Sequence, residues 1–133
     1  MAHATGTFDV KLTPQGTDES GLLGRLTIDK QFRGELEGVS KGEMLSGMTA
    51  VKTSAGYVAI ERVTGALNGL TGSFILQHTG TMNRGEPSQM VTVIPDSGTD
   101  QLVGLTGRMT IKIENGKHFY SFEYSLVTPG QDP

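Results

Sequence analysis

The sequence predicts an all-β protein, a small closed antiparallel barrel of about eight strands. Three observations lead to this prediction. Apolar and polar residues alternate repeatedly along the chain, no segment keeps the 3.6-residue period of a helix, and glycine is spread within and between the apolar segments. Glycines placed in this way mark turns, bulges and sharp bends of strands. Short strands separated by such residues are typical of barrels and sandwiches.

Length and composition narrow the class of protein. The 133 residues fit one domain over 1–133, and 11 basic against 14 acidic residues give a net charge of −3. Without a basic excess we expect neither a nucleic acid nor an anionic membrane surface as partner. No apolar run could span a bilayer, and residues 1–6 do not resemble a signal peptide. The chain has no cysteine, so a reducing cytoplasm is the simplest location.

The first half of the chain predicts three strands. Alternation begins near residue 7 and predicts a first strand that ends at Pro14, followed by a polar loop over 15–21. A second strand is expected over 25–32. The third, over 34–50, is long and rich in glycine and serine, so we expect it to bend or to contain a bulge.

The clearest hairpin turns at residues 115–116, where Asn-Gly favours a two-residue type I′ turn. This register sets Arg108 opposite Glu123 on one face and Met109 opposite Phe122 on the other. One register therefore separates polar from apolar side chains and pairs opposite charges, which is strong evidence for it.

A second Asn-Gly hairpin turns at residues 68–69. It sets Glu61 opposite Leu76, Ala59 opposite His78, and Tyr57 opposite Gly80. A short strand near 88–94 and a turn over 95–98 complete about eight strands in up-and-down order, which suits a closed barrel.

The second hairpin places three titratable side chains on one face, Tyr57, Glu61 and His78. His78 is diagonal to both other residues, and diagonal partners lie about 7–8 Å apart at Cα, within reach of their side chains. A carboxylate, an imidazole and a phenol in an apolar barrel form an acid–base set, with Glu61 as general base or charge stabiliser, His78 as its partner and Tyr57 as hydrogen-bond donor. The alternative is structural, since such a cluster also satisfies its own hydrogen bonds or faces solvent.

Four further residues are candidates for lining a binding cavity: Glu43, Met44, Phe74 and Tyr120. Glu43 is either a second carboxylate of the cavity or the exposed side of an alternating strand. Alternation favours Met44 inside and Glu43 outside unless a bulge at Gly42 inverts the pattern.

Motifs for metals, nucleotides and nucleophilic catalysis are missing. No two of the three histidines are close in sequence, and no cysteine could help to bind a metal. Neither phosphate-binding glycine loop occurs, and there is no G-x-S-x-G elbow. We therefore predict no metal and no cofactor.

Five segments carry a recognisable pattern: GSFILQHTG at 72–80, LEGVSKGEML at 36–45, GYVAIER at 56–62, SGTDQLVGLTG at 97–107, and HFY through EY at 118–124. They resemble a bacterial family of domains of unknown function, numbered 3224. The resemblance covers nearly the whole chain. It implies a barrel similar to that of allene oxide cyclase, whose glycine-rich strand, like that of the dirigent proteins, resembles the segment at 97–107. It also implies a homo-oligomer, a dimer or a trimer, but no reaction, because cyclase activity would be an analogy of fold alone.

Three functions remain open at this point. The first is an isomerase, cyclase or lyase that acts on a small, largely apolar substrate through the Glu61, His78 and Tyr57 cluster. The second is a non-catalytic module that holds such a molecule inside the barrel, as lipocalins do. The third is a filled barrel that serves as a structural subunit of an oligomer.

Overall fold

A computed structural model describes residues 1–127 and confirms the predicted closed antiparallel barrel. Each strand pairs with its neighbours in the chain, and the last strand closes the barrel on the first. The eight strands are β1 (Ala2–Thr17), β2 (Leu23–Gly34), β3 (Leu36–Met48), β4 (Ala55–Leu67), β5 (Leu70–Asn83), β6 (Glu86–Val93), β7 (Leu105–Glu114) and β8 (Lys117–Leu126).

Both Asn-Gly hairpins have the predicted registers. Glu61 pairs with Leu76 across β4 and β5, and Met109 pairs with Phe122 across β7 and β8. Asn68 and Asn115 have φ of 46° and 50°, and the glycines that follow them have φ of 86° and 77°. Positive φ at both central residues is the requirement of a type I′ turn, which explains why Asn-Gly fixes these two registers.

Two details of the first three strands differ from the prediction. β1 does not end at Pro14 but continues to Thr17, and its pairing with β2 shifts between Pro14 and Gly16. Proline lacks an N–H donor, and a bulge is one of the few places in a sheet that accepts it. Of the bend or bulge expected in the third strand, the bulge is absent, because β3 pairs residue for residue with both neighbours.

One half of the barrel interior is filled with large apolar side chains. Phe74 and Phe122 stack at 5.9 Å between ring centroids, and both are almost fully buried. A 3-10 turn over Asp100–Leu102 covers this end and buries Leu102 completely. This half is a packed core, so any chamber must lie in the other half.

The barrel wall is weakest between β6 and β7. These strands share only two residue pairs, Val91 with Met109 and Thr92 with Arg108, whereas β4 and β5 pair along their whole length. On the side away from the packed core, β6 and β7 therefore separate beside the open half of the barrel.

Candidate functional site

The open half of the barrel contains a chamber of about 270 Å³, which we call the inner chamber. Its wall is mainly apolar, formed by Phe8, Val10, Leu12, Ile28, Met44, Ala59, Ile111 and Ile113. Leu12 and Ile113 are 44% and 63% exposed and mark its mouth, whereas Ala59 is deeply buried. Six polar side chains also line it: Lys30, Tyr57, Glu61, His78, Gln89 and His118.

A buried ion pair forms part of the floor of the inner chamber. Nζ of Lys30 in β2 donates to Oε2 of Glu61 in β4 at 2.9 Å, and Oγ of Ser40 in β3 donates to Oε1 at 2.9 Å. Lys30 is 8% exposed, and Glu61 and Ser40 are each 1% exposed. Both carboxylate oxygens of Glu61 thus have partners, as a buried charge requires.

Aromatic rings complete the surroundings of Lys30. Its Nζ lies 4.9 Å from the ring centroid of Phe8 and 5.8 Å from that of Phe32. An ammonium group over the face of an aromatic ring is stabilised by the ring quadrupole. Lys30 is therefore held by one carboxylate and two rings while its ammonium still borders the chamber.

Tyr57 and His78 form a second polar pair at the chamber wall. Oη of Tyr57 lies 2.6 Å from Nε2 of His78. Burial raises the pKa of Tyr57, and so does the negative charge of Glu61. Burial also lowers the pKa of His78, as does the positive charge of Lys30, while Glu61 and the Gln89 side chain act in the opposite direction. Both shifts favour a neutral phenol beside a neutral imidazole. The imidazole tautomer decides which of the two atoms donates in the hydrogen bond between them.

Two glycines explain how these large side chains fit against the wall. A Cβ added at Gly42 would lie 2.6 Å from Cα of Glu61, and one at Gly80 would lie 2.5 Å from Cε1 of Tyr57. Gly42 pairs with Glu61 across β3 and β4, and Gly80 pairs with Tyr57 across β4 and β5. The absence of a side chain at each glycine leaves the space that its cross-strand partner occupies.

A second space, which we call the outer chamber, adjoins the inner chamber. It measures about 320 Å³ and shares Met44, Tyr57 and Gln89 with the inner chamber. Met48 and Met82, which are 48% and 41% exposed, line its solvent side. An extended molecule bound at the floor of the inner chamber can therefore pass Met44 and continue towards solvent.

The structure brings all three residues of the predicted cluster, and one of the four predicted cavity-lining residues, to the same chamber. Tyr57, Glu61, His78 and Met44 all line the inner chamber. Glu61 is bonded to Lys30 rather than to His78, so Tyr57 and His78 form one pair, Glu61 forms another with Lys30, and the three predicted residues do not make a triad.

Three of the predicted binding residues lie elsewhere. Glu43 is on the outer surface, where its 60% exposed side chain pairs with Arg25, because β3 has no bulge and the alternation holds. Phe74 is part of the packed core. Tyr120 faces inward but is nearer the packed end, where its Oη bonds the backbone of Leu36.

Sequence reasoning missed Lys30, Ser40 and Gln89. A signal for Lys30 was present, since it occupies the inward position between Ile28 and Phe32 in an alternating strand. A buried lysine needs a partner for its charge, and no local pattern in the sequence identifies Glu61 as that partner.

Two features are absent from residues 1–127. Nowhere in this part of the chain do three His, Asp or Glu side chains come close enough together to hold a metal ion. It also contains no helix of sufficient length and apolar character to cross a membrane.

These features define the class of protein: a closed eight-stranded antiparallel barrel, packed at one end and open at the other, where buried polar pairs line a chamber. The chain belongs to the DUF3224 family of proteins of unknown function, whose profile matches residues 4–124. The resemblance seen in the sequence segments is thereby confirmed.

A solved structure supports both the family and the fold. The crystal structure of a DUF3224 protein with unknown function from Shewanella oneidensis MR-1 is 55% identical in sequence and superposes with a TM-score of 0.90. The match covers 96% of this chain and 98% of that one. No curated protein matches the sequence. The likeness to allene oxide cyclase, the homo-oligomer and the cytoplasmic location stay predictions.

Proposed function

We propose that the barrel binds a small, largely apolar molecule in the inner chamber. The observation that carries this proposal is the contrast between the two halves of the interior. Phe74 and Phe122 fill one half, whereas the other keeps a chamber of about 270 Å³. Protein interiors normally pack with few voids larger than a water molecule, so a space of this size is a feature of the fold that requires a reason.

The lining of the chamber supports a ligand of mixed character. The wall between the mouth and Ala59 is aliphatic or aromatic, and releasing water from such a surface favours binding of apolar groups. Lys30 and Tyr57 add polar atoms to the same lining. A few placed polar groups in a mainly apolar pocket are typical of small-molecule sites.

Fluorescence titration with the neutral apolar dye N-phenyl-1-naphthylamine tests the proposal. The wild-type protein should enhance the dye emission with saturable binding at one site. Ala59→Leu adds three carbons that project into the inner chamber, so it should weaken binding about tenfold or more. Val58→Leu is the matched control, because Val58 is the neighbouring residue and is 51% exposed on the outer face.

The dye titration has two outcomes that count against binding in the chamber. One is an absence of saturable binding to the wild-type protein. The other is equal binding by the Ala59→Leu and Val58→Leu variants, which would place the dye on the outer surface.

A second candidate function is acid–base catalysis on the bound molecule, favoured by the 2.6 Å contact between Tyr57 and His78. A neutral imidazole can accept a proton, and the phenol can donate one. Glu61 is less suited to the role of base, since Lys30 and Ser40 occupy both of its oxygens. In this account His78 is the base and Glu61 holds Lys30 in place.

Mass spectrometry of small molecules addresses catalysis. A metabolite extract from the organism that makes the protein is incubated with the wild-type protein, with His78→Gln, or with the surface control His3→Gln. Catalysis predicts a time-dependent product with wild type and His3→Gln that His78→Gln does not form. A spectrum that stays constant with time for all three proteins would leave binding as the function.

A further inference from the structure

The ammonium group of Lys30 has donor capacity that the protein does not use. An ammonium carries three N–H donors. Among residues 1–127, Glu61 is the one hydrogen-bond acceptor of Nζ, and the nearby rings of Phe8 and Phe32 accept no conventional hydrogen bond. Since Lys30 borders the inner chamber, a bound molecule can supply the missing acceptor.

The other deep polar pair does not compete for this role. Whichever of the two atoms donates, the 2.6 Å bond between Tyr57 and His78 uses one of their protons, and the pair is uncharged, so neither group is as strong a donor to a ligand as an ammonium. Gln89 is exposed and lies where the inner and outer chambers meet. Lys30 is therefore the strongest donor deep in the chamber.

The charges around the chamber floor balance. Lys30 and Glu61 neutralise each other at 2.9 Å, and Tyr57 and His78 form a neutral pair. A ligand carboxylate would add a second negative charge near Glu61, and a ligand ammonium would add a second positive charge near Lys30. Either would bury a charge without a counterion, which is strongly unfavourable.

We infer that the ligand is an uncharged molecule whose carbonyl oxygen accepts a hydrogen bond from Lys30. This inference rests on the proposed binding function. Its hydrocarbon part lies against the apolar wall and extends past Met44 into the outer chamber. A ketone, aldehyde, ester or amide satisfies this description, because each presents an acceptor oxygen without a net charge. The inferred contact is a hydrogen bond, and Lys30 remains an ammonium paired with Glu61.

Competition among four ten-carbon compounds that differ only in their polar group tests this inference. 2-Decanone, decanoate, decylammonium and decane are each used at neutral pH to displace N-phenyl-1-naphthylamine from the wild-type protein. We expect 2-decanone to compete about tenfold better than decane, since it adds a hydrogen bond to a charged donor. 2-Decanone should also compete at least about tenfold better than decanoate and decylammonium.

The matched variant removes the donor without leaving a buried charge. Lys30→Met with Glu61→Met replaces the ion pair by apolar side chains, a change that buried pairs often tolerate. This double variant should still bind the dye and decane, and the advantage of 2-decanone over decane should disappear.

The outcomes separate this inference from the proposed function. If neither the dye nor any competitor binds, the binding function itself is wrong. If the dye binds but decanoate or decylammonium competes best, the binding function stands and the uncharged ligand is wrong. An advantage of 2-decanone that persists in the double variant would overturn the role of Lys30.

Discussion

Nζ of Lys30 and Oε2 of Glu61 lie 2.9 Å apart inside the barrel, although the two residues are 31 positions apart in the sequence. They belong to β2 and β4, with β3 between them, and Ser40 of β3 supports the carboxylate from there. This pair joins three strands at the floor of the inner chamber.

Removing one member of the pair should destabilise the protein strongly. Lys30→Met leaves the Glu61 carboxylate buried without its counterion, and we expect the free energy of unfolding to fall by about 3–5 kcal/mol. The double change to methionine at both positions should cost much less. Arg25→Met, which breaks the exposed pair with Glu43, should cost less than about 1 kcal/mol. Urea unfolding measures all three, and equal losses for Lys30→Met and Arg25→Met would refute the buried pair.

Gly80 should be essential for the position of Tyr57. Gly80→Ala places a Cβ 2.5 Å from the Tyr57 ring, so the ring must move and its bond to His78 is disturbed. We expect a loss of about 1–3 kcal/mol in urea unfolding. Gly47→Ala is the matched control, because the nearest atoms to its Cβ lie at 4.0 Å. A change at Gly47 as large as that at Gly80 would contradict this role.

Stability should fall in mild acid because of His78. Burial and Lys30 lower its pKa in the folded protein below the ordinary value of 6.5. Between that lowered pKa and 6.5 the unfolded chain binds more protons at His78 than the folded protein does. The free energy of unfolding therefore decreases as the pH falls below about 6.5, and above that pH the contribution of His78 to stability is complete. Urea unfolding at a series of pH values should show a shallower decrease for His78→Gln than for wild type. The surface change His3→Gln should keep the wild-type slope, and a wild-type slope for His78→Gln as well would rule out His78 as the cause.

The two Asn-Gly turns should respond differently to the same substitution. Both asparagines have positive φ, but only the side chain of Asn68 donates to Oη of Tyr124, at 2.6 Å. Asn68→Ala should therefore destabilise the protein by about 1 kcal/mol more than Asn115→Ala. Thermal unfolding of the two variants measures the difference. On a Tyr124→Phe background the difference between Asn68→Ala and Asn115→Ala should shrink to the small part due to the longer bond, 3.4 Å, from Nδ2 of Asn68 to the backbone oxygen of His3. An undiminished difference on that background would assign it to another cause.

Local chemistry allowed much of the fold to be predicted. Asn-Gly permits the positive φ values of a type I′ turn, and with the turn fixed, the two-residue period of a strand decides which side chains share a face. That reasoning placed Tyr57, Glu61 and His78 on one face of the sheet, and the structure shows that this face is the inner one. It could not supply the height of a residue along the barrel, which depends on strand tilt and stagger. Phe74 and Tyr120 therefore have the predicted inward direction but lie in or near the packed half.

The pairing of Lys30 with Glu61 depends on contacts that no local pattern contains. It needs the registers of β2 with β3 and of β3 with β4 at once, and neither connection carries an Asn-Gly turn. Pro14 was misjudged for a related reason, because a bulge that accommodates a proline is a property of the paired strands.

The most direct test of binding in the chamber is NMR of the protein labelled with ¹³C at the methionine methyl groups. Met44 borders both chambers, whereas Met90 is 65% exposed and lines neither, which makes it an internal control. On titration with 2-decanone, we expect a saturable shift of the Met44 methyl signal and a constant Met90 signal. A shift of Met90 with Met44 unchanged would contradict binding in the chamber.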